Sequence, residues 1–257
     1  MRLIDAHIHL DHYTDQDAAG IIENSPFIDA LISVSWDLHS CKKNFELSQR
    51  YNKVKPAFGF HPEQELPSPL QVELLLVWIA EHHKDMAAVG EIGLPYYLRE
   101  QQKVTKRQYD EYLHILEMFI KSAKQWDKPV VLHAVYEDAP IVCELLEKHS
   151  VKKAHFHWFK GDKKTITRMI HNGYYISVTP DVVYEEEIQQ LVHAYPLEQI
   201  MVETDGPWPF EGPFHGRMTH PAMMEESLKI IAKLKDIPVE VVAKTVLDTT
   251  KLFYQID

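Results

Sequence analysis

The chain has almost no cysteine. Cys41 and Cys143 are its only two, far apart and in no C-x-x-C pair. That argues against a disulfide framework or a structural zinc knuckle, and for a reducing, cytoplasmic setting. No apolar run approaches the ~18 residues that a membrane span needs. The opening Met-Arg-Leu-Ile-Asp-Ala-His also lacks a signal-peptide apolar core. Positive charge is scarce too, with 27 Lys and Arg against 38 Asp and Glu and a net charge of −11. A protein that grips nucleic acid over a broad basic face has the opposite balance. A small phosphate-cleaving pocket stays open, because bound divalent cations change the local field. No internal repeat or low-complexity linker divides the chain, and nothing in it implies an obligate protein partner.

What is present is ordinary globular material, 45% apolar and 25% charged over 257 residues. That length suits one α/β barrel of about 250 residues, a single domain over residues 1–257. Eight β-type runs occur: Leu3–Ile8, Ala30–Ser35, Lys55–Phe60, Ala87–Ile92, Pro129–His133, Ala154–Trp158, Tyr174–Val178 and Gln199–Glu203. Between them apolar residues recur at helical steps, as Tyr112, Ile115, Leu116, Phe119 and Ile120 do within Gln108–Trp126. Thr219 with Pro221, and Asp236 with Pro238, signal two further helix starts. This alternation favours a (β/α)₈ barrel, the TIM-barrel fold, over an open doubly wound sheet. After the eighth run, the prolines and glycines of Gly206–Met218 forbid a regular element and predict a loop over the barrel mouth. Trp208, Phe210 and Phe214 there form either a substrate wall or an inert packed loop.

His7 and His9 stand two apart in a strand and so point to one face. Alone, such a pair is more often two satisfied core histidines. Here, though, Glu91, His133 and His157 each fall at or near the end of a β-type run, and Asp205 follows the eighth. In a barrel these ends converge on one mouth, where buried carboxylates need partners. A metal cluster explains six such residues better than structure alone does. His155, two before His157, is the rival ligand. His61, in Gly-Phe-His-Pro, sits at the same edge and reads as a substrate-facing residue. His82, His83, His114, His149, His171 and His193 read as surface residues, while His39 and His215 are undecided.

The motifs Asp-Ala-His-Ile-His-Leu (5–10), Gly-Phe-His-Pro (59–62), Gly-Glu-Ile-Gly-Leu (90–94) and Pro-Val-Val-Leu-His (129–133) share a family order with two more. These are His-Trp-Phe-Lys-Gly (157–161) and Glu-Thr-Asp-Gly-Pro (203–207). In these motifs the chain resembles the TatD family of metal-dependent hydrolases, within the amidohydrolase-like barrels. The resemblance favours His157 over His155. It implies a binuclear site, with His7, His9 and Asp205 on one divalent ion, His133 and His157 on the other, and Glu91 bridging. It also implies nuclease chemistry, often on DNA. Imidazole and carboxylate donors suit Zn²⁺, Mn²⁺, Co²⁺ or Ni²⁺, although family DNases often use Mg²⁺. Two cations about 3.5–4 Å apart acidify a water and stabilise attacking and leaving oxygens. Asp205 is placed as general base.

Three departures from the family pattern concern substrate. Pro95 replaces the acidic residue after Gly-Leu, Ala134-Val135 replaces a common Ser-Arg, and Arg217-Met218-Thr219-His220 replaces an Arg-Asn pattern. His61, Lys160, Arg217 and His220 are then the candidate substrate contacts. The leading expectation is a metal-dependent phosphodiesterase or deoxyribonuclease acting on single-stranded nucleic acid. The alternatives are a binuclear hydrolase of small-molecule esters, lactones or amides, and a non-catalytic binding protein with a relic site.

Overall fold

The computed structural model describes residues 1–256, and Asp257 lies outside them. Eight strands are present: β1 (Leu3–Ile8), β2 (Ile28–Ser33), β3 (Val54–Phe58), β4 (Ala88–Gly93), β5 (Val130–His133), β6 (Ala154–Phe156), β7 (Tyr175–Val178) and β8 (Ile200–Val202). They form one parallel sheet in sequence order, β1 to β8, as consecutive β/α units of a barrel require. The main helices are α1 (Asp15–Glu23), α2 (Leu38–Arg50), α3 (Pro69–His82), α4 (Tyr96–Glu100), α5 (Lys106–Gln125), α6 (Asp138–Lys148), α7 (Lys163–His171), α8 (Glu186–Ala194), α9 (Met224–Lys235) and α10 (Val239–Tyr254). Among the described residues no helix is long and apolar enough to cross a membrane.

All eight β-type runs become strands, the first with its expected bounds and the others with shifted edges. β2 starts at Ile28, earlier than the sequence pattern suggests, because the Leu3 N–H donates to the Phe27 carbonyl at 2.9 Å and Ile28 pairs with Leu3. The helix at 219–221 also starts late. Pro221–Met223 form one 3₁₀ turn, and α9 begins at Met224. The long amphipathic segment becomes α5, started by a reciprocal cap between Thr105 and Gln108. It buries Tyr112, Ile115, Leu116, Phe119 and Ile120, and a fully buried aromatic of this kind is worth about 1.5–3 kcal/mol relative to exposure.

Apolar side chains pack on both faces of the sheet. The larger cluster lies between strands and helices. The smaller one joins Ile4, Ala6, Ala30, Ile32, Ala57 and Ala88 to Phe253 and Tyr254 at the end of α10. The alanines leave room for those two rings, and the Tyr254 hydroxyl donates to the Ala6 carbonyl at 3.1 Å.

A side chain helps to close the seam between β8 and β1. Asp5 accepts from the Thr204 N–H at 3.0 Å and from its hydroxyl at 2.5 Å. Just above, the Asp205 N–H donates to the His7 carbonyl at 2.9 Å, and the His9 N–H donates to the Gly206 carbonyl at 2.8 Å. Barrel closure thus fixes the main chain of three candidate ligands at once.

The segment after β8 is a loop, interrupted by a short 3₁₀ turn at Gly212–Phe214. Phe210 and Phe214 are buried with Met223 against Trp158 and Val183, while Trp208 is 51% exposed. Two of the three aromatics therefore anchor the loop.

Candidate metal centre

Six side chains from four strand ends (β1, β4, β5 and β6) and the β8 loop meet at the barrel mouth, and all are buried. Glycine permits the tight spacing. A Cβ on Gly93 would stand 1.9 Å from the His133 carbonyl, so β4 presses against β5 only with glycine there. Asp205 takes a left-handed backbone, φ +49°, a conformation that Asp tolerates better than most residues.

Glu91 sits at the middle and divides the cluster in two. On one side its Oε2 lies 3.2 Å from His7 Nε2 and 3.4 Å from His9 Nε2. Asp205 Oδ1 lies 3.2 and 3.5 Å from the same two nitrogens, which are themselves 3.3 Å apart. On the other side Glu91 Oε1 lies 2.8 Å from His157 Nε2, 3.1 Å from His133 Nδ1 and 3.4 Å from His61 Nε2. His133 Nδ1 and His157 Nε2 are 3.4 Å apart.

These separations are informative. Donors about 2.0–2.1 Å from a tetrahedral ion stand about 3.3–3.4 Å from one another. Five separations within the first group, from 3.2 to 3.5 Å, lie near that value, and no hydrogen bond reaches Glu91 Oε2 or Asp205 Oδ1. Buried carboxylate oxygens without donors are costly. A divalent cation among them removes that cost, so the residues fit the metal that the sequence implies. His7, His9 and Glu91, and separately His61, Glu91 and His133, are groups with metal-ligand spacing.

Protonation in the metal-free protein follows the same contacts. Burial pushes Glu91 up, but the charges of His157, His61 and His7 outweigh it and hold the carboxyl well below the usual range. Burial pushes His9 down, yet Asp205 and Glu91 raise it to about 10. His157 is likewise raised against burial, by Glu91 and Glu203. His61 goes the other way, lowered to about 4 because burial dominates.

His155, the rival ligand, faces away from this cluster. Its Nδ1 is 2.8 Å from the Tyr254 hydroxyl and its Nε2 is 2.5 Å from Ser177 Oγ. The substrate candidates divide. His61 lines a cleft of about 390 Å³ above the cluster, between Trp36, Tyr97, Val135, Trp158 and Trp208. Lys160, Arg217 and His220 do not line it. Arg217 is exposed, with its guanidinium 5.9 Å above the Phe214 ring. His220 Nδ1 instead accepts from the Ala222 N–H at 3.1 Å and so caps the turn before α9. Among the described residues no lysine or arginine lines the cleft.

Four contributing residues escape sequence reasoning. Asp5 braces the seam. Glu203 accepts from the Trp158 N–H at 2.8 Å and from the Ser177 hydroxyl at 2.5 Å, and lies 3.8 Å from His157 Nδ1. Trp36 backs His61, and Glu63 lies 3.3 Å from His133 Nε2. Asp5 and Glu203 leave a trace, as carboxylates inside the first β-type run and at the end of the eighth.

Comparison with known proteins places this arrangement. The family model described as TatD related DNase matches residues 4–255. A Haemophilus influenzae protein named an uncharacterized metal-dependent hydrolase is 38% identical over 99% of this chain and 100% of its own length. The human deoxyribonuclease TATDN3 is 32% identical over 98% of this chain and 94% of its own. The crystal structure of YjjV, a TatD homologue from Escherichia coli K12, superposes with a TM-score of 0.87 at 23% identity, covering 100% of this chain and 99% of that one. The chain belongs to the TatD family of metal-dependent hydrolases.

Proposed function

We propose that the protein is a two-metal phosphodiesterase that trims single-stranded DNA from an end. The observation that carries this reading is the convergence of His7 and His9 on one oxygen of Glu91 and one of Asp205, at 3.2–3.5 Å, with no hydrogen bond satisfying either oxygen. His7, His9, Glu91 and Asp205 would hold one divalent ion, and Glu91, His133 and His157 would hold a second. Zn²⁺, Mn²⁺, Co²⁺, Ni²⁺ or Mg²⁺ are the candidates. Bound there, a pair of divalent ions supplies an acidified water and Lewis-acid stabilisation of the phosphoryl oxygens.

The chain's own residues do the rest. Asp205 borders the cleft and takes the proton of the attacking water. Trp36, Tyr97 and Trp208 give flat apolar walls on which an unpaired base can stack, worth about 1–3 kcal/mol per base. The human relative's name as a deoxyribonuclease supports the same assignment.

One observation favours a second reading, hydrolysis of a small neutral ester, lactone or amide: no cationic side chain lines the cleft. A substrate panel separates the two. Metal-loaded protein and His133→Ala are assayed on 3′-labelled single-stranded DNA, a simple phosphodiester and carboxylic esters, with and without chelator. Chelator-sensitive release of nucleotides, absent in His133→Ala, supports the nuclease. Turnover of carbon esters alone transfers the assignment to the second reading.

A further inference from the structure

Glu63, just past Gly-Phe-His-Pro, is tied to four other residues at the cleft. Its Oε1 lies 3.3 Å from His133 Nε2 and accepts from the Tyr97 N–H at 2.8 Å. Its Oε2 accepts from the Leu98 N–H at 2.9 Å. Its own N–H donates to His61 Nδ1 at 3.1 Å. The carboxylate side chain is only 12% exposed.

Local chemistry explains why it is held there. The first-turn amides of a helix have no partner within the helix. Pro95 occupies the cap position of α4 and makes no side-chain cap, so the Tyr97 and Leu98 amides need an outside acceptor. Glu63 reaches across from the β3 loop to provide it. The family pattern has an acidic residue where this chain has Pro95, and Glu63 returns a carboxylate to that neighbourhood.

The consequence lies in the two imidazoles. An ionised carboxylate only accepts hydrogen bonds, and a neutral imidazole carries one N–H. His133 faces a carboxylate at each nitrogen, Glu63 at Nε2 and Glu91 Oε1 at Nδ1, the latter at 3.1 Å with His157 Nε2 3.4 Å away. With a cation on the Glu91 side Nδ1 would be bare, and Glu63 then accepts the one remaining proton on Nε2. His61 carries its proton on the same nitrogen but is turned the other way. Its Nδ1 accepts from the Glu63 N–H, so its proton sits on Nε2, which points at Glu91 Oε1 from 3.4 Å. Two histidines beside the same carboxylate oxygen thus present different faces, one a lone pair and the other an N–H.

We propose that Glu63 is a positioning residue that assigns these two tautomers, making His133 a ligand of the second cation and His61 a hydrogen-bond donor to substrate. The proposal rests on the two-cation reading of the cluster. Partners of metal-bound histidines typically change metal affinity about 10–100-fold when removed.

The test uses Zn²⁺ alone on the full chain, with two readouts. Zinc titration of wild type, Glu63→Ala and Glu63→Gln is followed by calorimetry and metal analysis. Nitrogen-15 spectra of the histidines are recorded on zinc-loaded wild type and assigned with His61→Ala and His133→Ala. The expected result is two ions in wild type, with the second bound about 10–100-fold more weakly in Glu63→Ala and the first unchanged. Glu63→Gln, which keeps an acceptor oxygen, recovers part of that loss. The wild-type spectra show N–H on Nε2 of both histidines. Two ions held as tightly by Glu63→Ala as by wild type, or a proton on His133 Nδ1, overturns the role of Glu63 alone. Fewer than two ions in wild type overturns the two-cation reading and this inference with it. If Glu63→Ala does not fold, the wild-type spectra still decide.

Discussion

Trp36 lies flat against His61, with ring planes 7° apart and centroids 3.8 Å apart. The Trp36 carbonyl also accepts from the His61 N–H at 2.9 Å, so main chain and ring hold His61 together. Stacked aromatic pairs are worth about 0.5–1.5 kcal/mol beyond area. Trp36→Ala is therefore expected to lower kcat/KM by about two- to tenfold while metal content stays at the wild-type level. Trp36→Phe should recover most of the loss. Unchanged kinetics in Trp36→Ala would show that His61 needs no backing.

The two glycine positions Gly20 and Gly93 should respond with opposite signs to alanine. At Gly93 a Cβ meets the His133 carbonyl at 1.9 Å, whereas at Gly20, within α1, the nearest atom is Asn24 Nδ2 at 3.9 Å. Gly93→Ala should destabilise by about 1–3 kcal/mol, as overpacking does, and should weaken the centre that contains His133. Gly20→Ala should stabilise by about 0.5–1 kcal/mol through helix propensity. Thermal melts with metal analysis check both.

Acid sensitivity should have a component at Glu117 on α5. Its Oε1 lies 2.7 Å from both Lys148 Nζ and His149 Nε2, and these two bonds hold the carboxyl down at about 2. A folded-state value below the unfolded one gives stability that is present above the ordinary carboxylate range and lost as pH falls toward 2. Glu117→Gln should therefore melt below wild type at neutral pH. The gap should close as both proteins are acidified, and a gap constant down to pH 2 would remove Glu117 from the account.

Chelation should be felt as lost stability as well as lost turnover. Free metal at about a hundredfold above its Kd adds about 2.7 kcal/mol, so treatment with chelator should lower the melting temperature and readdition should restore it. In the metal-free protein His9 is protonated up to about 10, and a ligand imidazole must shed that proton. Binding heats measured at neutral pH should therefore vary with the ionisation enthalpy of the buffer, and affinity should fall with decreasing pH. Heats independent of buffer would contradict the protonation pattern described above.

The barrel was legible because the strands are short, mostly buried apolar runs, such as Pro129–His133, several of them with a residue of different chemistry at or just past the end. That closing residue is also what exposes Glu91, His133, His157 and Asp205 to sequence reasoning. The positions around them were not legible, because their roles are tertiary. Nothing local distinguishes Glu63 from the neighbouring Glu65, and only the cap of α4 brings its carboxylate to His133. Lys160, Arg217 and His220 show the converse. Their nearness to family motifs gives their place along the chain but not the direction of the side chain, and the cleft is lined without them. For Phe210 and Phe214 the sequence leaves a substrate wall and a packed loop both open, and the fold settles them as packing, since they face inward.

Closure between β8 and β1 has a consequence for how the protein is made. Asp5 and Thr204 are 199 positions apart, and the bonds flanking them hold His7, His9 and Asp205. During synthesis His7 and His9 leave the ribosome well before Asp205, with seven strands made between them. A cation that needs all three residues could then not nucleate early folding as zinc does in small finger domains; it would enter only after β8 has joined β1.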